Sequence, residues 1–321
     1  MNKEQTLQAV ILSKVADVYQ TLAQAAQHDT HGWLVTSRVD DVLAASEAQR
    51  ASVRWLLAEP ALAIQVLDAL PNLQWLQSTW AGVEILLAPN MRHDYTLTNV
   101  RGIFAPLMVE YLLTHMLAHE RLLYAHRAAF ERREWFPRDG GLLRGKTVLL
   151  LGLGSIGADM VAMFHFLGMR VLGVANTPRA VAGVAEVTDL AGVPRLLAQA
   201  DYVVNVLPNT PATQDVVNAA FLKQMKPSAV FINVGRGQAV VDADLAAALH
   251  AGTIAAAVLD VFRTEPLPEA HPFWDAPNLV STSHTAAPSV PETVFEVFND
   301  NLNRFEHGEE LLHRVDFARG Y

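Results

Sequence analysis

Arg236, Glu265 and His284 lie in the last third of the chain, each just beyond an apolar run. Together they supply what hydride transfer on a carboxylic acid needs: a fixed cation, a proton donor, and a carboxylate to hold that donor. Val234-Gly235-Arg236-Gly237 closes a buried strand. An arginine between glycines at the carboxyl edge of a parallel sheet faces the ligand crevice. Its guanidinium can grip a carboxylate through two parallel N–H bonds and polarise the adjacent carbonyl. The alternative for Arg236, which its setting at the sheet edge disfavours, is a surface salt bridge. Glu265 precedes Pro266 in Asp260-Val261-Phe262-Arg263-Thr264-Glu265-Pro266, which places it in extended backbone. His284 follows the last apolar strand, in Ser281-Thr282-Ser283-His284-Thr285-Ala286-Ala287. A histidine can deliver a proton near neutral pH. Alone it would read as an ordinary loop histidine; it gains weight because Arg236 and Glu265 precede it in like settings.

Upstream stands a glycine fingerprint, Gly152-Leu153-Gly154-Ser155-Ile156-Gly157, between an apolar strand (Lys146 to Leu151) and a helix expected over Ala158 to Leu167. Gly152 permits the tight turn, Gly154 lets backbone approach a pyrophosphate, and Gly157 lets the helix pack close to the sheet. The helix start then offers free N–H groups to phosphates. Strand before and helix after is the context this pattern requires. A second strand, Arg170 to Val174, ends in Ala175-Asn176-Thr177-Pro178-Arg179. No carboxylate stands there to grip a ribose diol. Asn176 and Thr177 can donate hydrogen bonds, and Arg179 can pair with a 2′-phosphate. NADP(H) is therefore expected over NAD(H). If Arg179 only caps a surface turn, both are accepted. Leu207, Pro208 and Val234, at the ends of later strands, are expected to border the same cofactor.

Elements must carry these residues to one place. Further strands are expected at Tyr202 to Leu207, Ala229 to Val234, Ala255 to Val261 and Leu279 to Thr282, with helices between most of them. That alternation implies a doubly wound parallel sheet, an α/β fold. Before it, Gly32 to Thr36 and Leu73 to Ser78 read as strands, while Ser52 to Leu57 and Ala61 to Leu70 read as strand or helix. One long helix is expected from Ala105 to about Trp135, joining two lobes, and a final helix from about Glu292 to His307. No internal repeat or low-complexity tract is visible.

Composition bounds the rest. A chain of 321 residues suits two domains, and 51% apolar residues can build real cores. A net charge of −9 argues against a nucleic-acid role. The lack of cysteine excludes disulfides and thiolate chemistry and fits a cytoplasmic protein. Met1 to Leu12 does not look like a signal peptide, and no membrane span is expected. His115 and His119 stand four apart beside Glu120, but a third metal ligand is not evident, and no metal is expected. Packing is the expected role of Trp135 and Trp274.

These motifs together resemble the D-isomer-specific 2-hydroxyacid dehydrogenases. The resemblance covers essentially the full length and is densest from Lys146 to Ala287, through Gly152 to Gly157, Asn233 to Gly237, Leu259 to Pro268, and Pro277-Asn278-Leu279 running into His284. It implies that Arg236 binds and polarises the substrate, that Glu265 supports His284, and that His284 is the acid/base. It implies that Asp260 contacts the nicotinamide carboxamide. It also implies two lobes: a flavodoxin-like substrate lobe (1–104 plus 289–321) and a Rossmann-type cofactor lobe (105–288), with closure over a small 2-oxo or 2-hydroxy acid. A homodimer is implied as well. Read from the residues alone, Arg101 is a candidate to approach the substrate from the interlobe hinge, and Trp135 (from a partner subunit) and Trp274 are pocket-lining alternatives to the packing expected of them. Ser78 to Glu84 resembles the family's substrate loop, in which the amides of Ala81 and Gly82 would hold the carboxylate. Three departures matter: Ser283 replaces a common proline, Trp80 occupies a position often small, and Ala175 replaces the acidic ribose ligand. The last two resemble the glyoxylate/hydroxypyruvate reductase branch. The rivals are a formate- or phosphite-type dehydrogenase, against which Glu265 argues, and a cofactor-sensing, corepressor-like binding protein.

Overall fold

Ala9-Val10-Ile11-Leu12 contains no polar residue, and a strand of that kind needs cover on both faces. In the computed structural model, which describes residues 7–318, it is β1, and all four residues are buried. The reading of the N-terminus as lacking a signal peptide rests in part on residues 1–6, outside the described range. Two compact units form, one running up to Ile103 and resuming at Ser289, the other Phe104–Pro288.

In the first unit β1 (Ala9–Leu12), β2 (Trp33–Thr36), β3 (Trp55–Ala58), β4 (Trp75–Ser78) and β5 (Thr96–Thr98) pair in parallel, in the order β2-β1-β3-β4-β5. That is the flavodoxin-like order. Helices α1 (Ala16–Ala25), α2 (Val39–Leu43), α3 (Glu47–Ser52) and α4 (Pro60–Ala63) connect the strands. The ambiguous stretch Ala61 to Leu70 is thus helical in character, α4 followed by a 3-10 turn at Leu67–Ala69.

The second unit opens with α5 (Ala105–Glu120) and α6 (Leu123–Glu131). The single long helix expected here is broken at Leu122, whose φ is +54°. The Glu120 carbonyl turns instead to the Gly141 amide at 2.7 Å. No glycine or proline marks the break, so the apolar spacing runs straight through it. The sheet that follows comprises β6 (Thr147–Leu151), β7 (Arg170–Val174), β8 (Val184–Thr188), β9 (Tyr202–Asn205), β10 (Val230–Asn233), β11 (Ala256–Leu259) and β12 (Leu279–Ser281). All pairs are parallel, in the order β12-β11-β10-β9-β6-β7-β8. Sequence patterning misses β8: it is an edge strand, only partly buried, with Glu186 at its centre. Helices α7 (Ser155–Phe166), α8 (Val193–Leu197), α9 (Ala219–Leu222) and α10 (Asp242–His250) complete the unit, with cores on both faces of the sheet.

The chain then returns to the first unit as α11 (Pro291–His307), with Pro291 at its first turn. A buried polar network ties it there. The Asn301 amide nitrogen donates to Gln77 Oε1 (3.0 Å) and to the Leu312 carbonyl (3.1 Å), while the Thr98 hydroxyl donates to the same Gln77 oxygen (2.8 Å). Phe298 of α11 stacks on Trp75 of β4, with ring centroids 5.6 Å apart.

Candidate active site

The order reverses between β6 and β9, and ligands of doubly wound sheets bind at such a switch point. The fingerprint turn leaves β6 there. Gly152 adopts φ +109°, and a side chain on Gly157 would meet the Gly152 carbonyl at 2.0 Å, so both glycines are demanded by the chain itself. Gly154 differs. Its φ is −71°, and a Cβ there would touch nothing within 4 Å. The packing of the chain does not demand a glycine at 154, and its presence leaves the backbone there open to close approach. Gly154 also caps α7 without a side chain, which leaves the first-turn amides of Ser155, Ile156 and Gly157 without a side-chain partner. Asn176, Thr177 and Arg179 are exposed beyond β7, and Arg179 makes no hydrogen bond or ion pair among the described residues. Across the switch point Leu207 is buried and Pro208 exposed, with the Asn209 amide oxygen buried and unpartnered among the described residues. The residues present therefore fit a dinucleotide. Asn209 went unread, because nothing in its sequence setting separates it from a surface asparagine.

Three neighbouring strands carry the chemical residues. β10, β11 and β12 run in register at roughly 4.8 Å spacing, and Arg236, Glu265 and His284 follow their carboxyl ends. Asn205 and Asn233 are paired in register and fully buried. The Asn205 amide donates to Asn233 Oδ1 at 2.9 Å. Each asparagine then accepts from the amide two residues on, Leu207 (3.3 Å) and Gly235 (3.2 Å). This local capture explains why β9 and β10 stop short of Leu207 and Val234, where the strands were expected to end. The Asn233 amide nitrogen also donates to the Arg236 carbonyl at 3.1 Å. In the sequence Asn205 is a strand residue and Asn233 the first residue of the Asn233 to Gly237 motif; the signal that joins them is their shared register, and it needs the pairing to be seen.

The glycines around Arg236 are explained by close approach. A Cβ on Gly235 would lie 2.9 Å from the Leu207 carbonyl oxygen, and one on Gly237 would overlap the Phe262 carbonyl carbon at 1.9 Å. The Arg236 turn is thus pressed on the loop that carries Glu265. Arg263 clamps the two: its guanidinium donates to the Gln238 carbonyl (3.0 Å) and the Val240 carbonyl (2.5 Å), and it pairs with Asp215. Arg236 is half-buried and donates to the Gly235 carbonyl at 2.8 Å.

Glu265 and His284 are in contact. Glu265 Oε2 lies 2.8 Å from His284 Nδ1, and Oε1 accepts from the Phe262 amide at 2.9 Å. A carboxylate only accepts, so Nδ1 carries a proton and Nε2 faces the other way. The imidazole is half-exposed, its side chain 52% accessible. Asp260, by contrast, is 2% exposed. Its carboxylate accepts from the Thr282 hydroxyl and from the amides of Thr285 and Ala286.

In the first unit the Ser78 hydroxyl donates to the Trp80 carbonyl (2.9 Å) and accepts from the Trp80 amide (3.0 Å). The Asn99 amide nitrogen fixes the Ala81 carbonyl at 2.8 Å. Trp80, Ala81 and Gly82 therefore sit on a held loop, with Trp80 46% exposed. Arg101 donates to Asn99 Oδ1 at 3.0 Å. His115 and His119 face tyrosines, His115 Nδ1 at 3.3 Å from the Tyr124 hydroxyl and the His119 ring 6.2 Å from that of Tyr202. The packing expected of Trp135 and Trp274 is corrected: they are 92% and 57% exposed.

Residues 113–286 match the family model for the D-isomer specific 2-hydroxyacid dehydrogenase NAD binding domain. Glyoxylate/hydroxypyruvate reductase A of Yersinia enterocolitica is 32% identical over 252 residues, 75% of this chain and 79% of that protein. A D-isomer specific 2-hydroxyacid dehydrogenase family protein from Aeromonas salmonicida superposes with a TM-score of 0.90 at 40% identity, over 98% of this chain and 100% of that one. An NADPH-dependent glyoxylate/hydroxypyruvate reductase from Sinorhizobium meliloti, solved with NADP and sulfate, gives 0.83 at 28% identity, over 98% and 99%. A dinucleotide cradle at the switch point and an imidazole–carboxylate pair along the same sheet edge find their explanation in this kinship: the chain belongs to the D-isomer-specific 2-hydroxyacid dehydrogenases, enzymes dependent on a nicotinamide dinucleotide.

Proposed function

We propose that this enzyme reduces a small 2-oxo acid of the glyoxylate or hydroxypyruvate type to its 2-hydroxy acid, with NADP(H) as the preferred cofactor and NAD(H) as a weaker alternative. The observation that carries the reading is the 2.8 Å Glu265–His284 pair, on the loops after β11 and β12, the next two strands along the sheet from β10, which leads to Arg236. When bound, the reduced nicotinamide supplies the hydride. Arg236 binds the acid through its planar fork and polarises the carbonyl that is reduced. His284 gives its Nε2 proton to the oxygen as charge develops there. Glu265 keeps the remaining proton on Nδ1, so the imidazole leaves the step neutral. The Ala81 and Gly82 amides hold the carboxylate, and Trp80 limits the size of the substrate's side chain. Ser155, Ile156 and Gly157 offer amides to the pyrophosphate, with Leu207, Pro208, Val234 and Asp260 bordering the rest of the cofactor.

The cofactor preference is supported by the exposed Asn176, Thr177 and Arg179, and by Ala175 where a carboxylate would repel a 2′-phosphate. The Sinorhizobium relative is NADPH-dependent. The substrate class is supported by the reductases of Yersinia and Sinorhizobium. A homodimer is supported by Phe130 and Trp135, apolar residues 77% and 92% exposed on and just after α6.

The test assays glyoxylate, hydroxypyruvate and pyruvate with each reduced cofactor, on the native enzyme and on His284→Ala. The native enzyme should favour NADPH and a small acid. The variant should lose about 10²- to 10⁴-fold in kcat, the usual range for a general acid. Near-native turnover by His284→Ala would remove it from the proton-donor role.

A further inference from the structure

His284 holds a backbone that a histidine adopts uncommonly, φ +57°. Such a conformation persists where the surroundings fix it. They do so through Asp260. Its Oδ1 accepts from the Thr282 hydroxyl at 2.5 Å and the Thr285 amide at 2.8 Å; its Oδ2 accepts from the Ala286 amide at 3.0 Å. The Asp260 carbonyl takes the His284 amide at 2.7 Å. One buried residue thus collects the loop on both sides of the imidazole.

The chain of hydroxyls behind it has a defined direction. A threonine hydroxyl has one proton and a carboxylate can only accept, so the Thr282 proton goes to Asp260. The Thr282 oxygen is left to accept. Tyr111, on the inner part of α5, reaches it at 2.7 Å, so the phenol donates. Burial, with a smaller push from the charge of Asp260, outweighs the lowering effect of the Thr282 contact and raises Tyr111 to about 12, which keeps that proton in place at working pH. Sequence gives no hint of this. Tyr111 reads as one of several apolar positions of a helix, and Thr282 as the last residue of a strand.

We propose that Thr282 and Tyr111 are positioning residues for the proton donor. Their hydroxyls donate in series, Tyr111 to Thr282 to Asp260, and anchor the 282–286 loop to helix α5. The anchor sets the imidazole where Glu265 can hold one face and the substrate oxygen can meet the other. This rests on the reading of His284 as the acid. Asp260 is accordingly a support of the loop, whatever else it contacts in the loaded enzyme.

Thr282→Val keeps the shape and removes both hydrogen bonds; Thr282→Ser keeps both; Tyr111→Phe removes one. For the valine variant kcat on the 2-oxo acid should fall about 10- to 100-fold, the scale of a misplaced reacting group. KM for the reduced cofactor should stay within about twofold, and the solvent deuterium isotope effect on kcat should rise because proton transfer becomes limiting. In the cofactor-free protein, amide exchange at Thr285 and Ala286 should accelerate. The serine variant should recover most of the turnover, and the phenylalanine variant should fall between. Thermal unfolding of each variant establishes that it folds; if the valine protein does not, Tyr111→Phe carries the comparison. Native kcat, isotope effect and amide exchange in Thr282→Val, or in Tyr111→Phe where that stands in, would overturn the proposal. A native enzyme that reduces no 2-oxo acid would sink the reductase reading instead, and the exchange comparison, which needs no substrate, would still decide the hydroxyl chain.

Discussion

Glu265 does more than sit near a histidine. With Oε1 on the Phe262 amide and Oε2 on Nδ1, both of its oxygens are committed, and because a carboxylate only accepts, it fixes a proton on Nδ1 and turns Nε2 outward. Glu265→Gln separates charge from shape. The amide oxygen can replace Oε1 on Phe262, but the amide nitrogen then meets Nδ1 as a donor. Nδ1 must become an acceptor, and the only remaining proton, on Nε2, could leave only as part of an unfavourable anion. Steady-state kinetics should show kcat lower by about 10²-fold or more, with KM for the cofactor little changed. A variant as active as the native enzyme would mean that Glu265 only fills space.

Elements show where local pattern loses to tertiary contact. The helix beginning at Ala105 has no breaker at Leu122, yet it ends at Glu120, where the carbonyl is taken by Gly141 and the carboxylate by the Tyr202 hydroxyl (2.7 Å). The same helix carries a pH dependence. Burial holds His115 and His119 below the ordinary histidine value of 6.5, so both are favoured neutral in the folded protein. The unfolded chain takes protons first as pH falls. Their stabilisation is therefore complete above pH 6.5 and is lost as pH drops toward the depressed folded values. Thermal unfolding followed from neutral pH downward should show a falling Tm below that point, and His115→Gln/His119→Gln should flatten the slope relative to the native chain. An unchanged slope would assign the acid sensitivity elsewhere. Asp242, raised by burial, works in the opposite sense in a lower window, where its stabilisation is lost as pH rises.

At the scale of the molecule, the chain leaves its first unit, builds the second, and returns through α11. The return is specified by polar groups as much as by apolar ones: the fully buried Asn301 has its amide nitrogen on the fully buried Gln77 and on the Leu312 carbonyl, and its oxygen on the Leu312 amide. Among the described residues, no helix is long and apolar enough to cross a membrane. Two strongly exposed aromatics lie on and just after α6. Phe130 and Trp135 border a groove of about 740 Å³ that none of Arg236, Glu265 or His284 lines. If a second copy covers this face, sedimentation should give twice the chain mass of 35.1 kDa, and Phe130→Glu/Trp135→Glu should give single chains. Two-copy mass in that variant would place the contact on another face.

Much was legible in residue order because it depends on short-range chemistry. Continuous apolar runs announce strands covered on both faces, glycines announce tight turns, and Gly-Arg-Gly, Glu-Pro and a histidine beyond successive strands announce a shared sheet edge. What residue order could not supply depends on which strands lie side by side. Asn205 and Asn233 matter because they are in register, Gly237 because Phe262 lies against it, and Thr282 because Tyr111 arrives from a helix far away in sequence. Hydrogen bonds reach about 3 Å and carry no mark in the chain at long separation, so only the folded arrangement decides which polar groups meet and which loop a distant hydroxyl holds still.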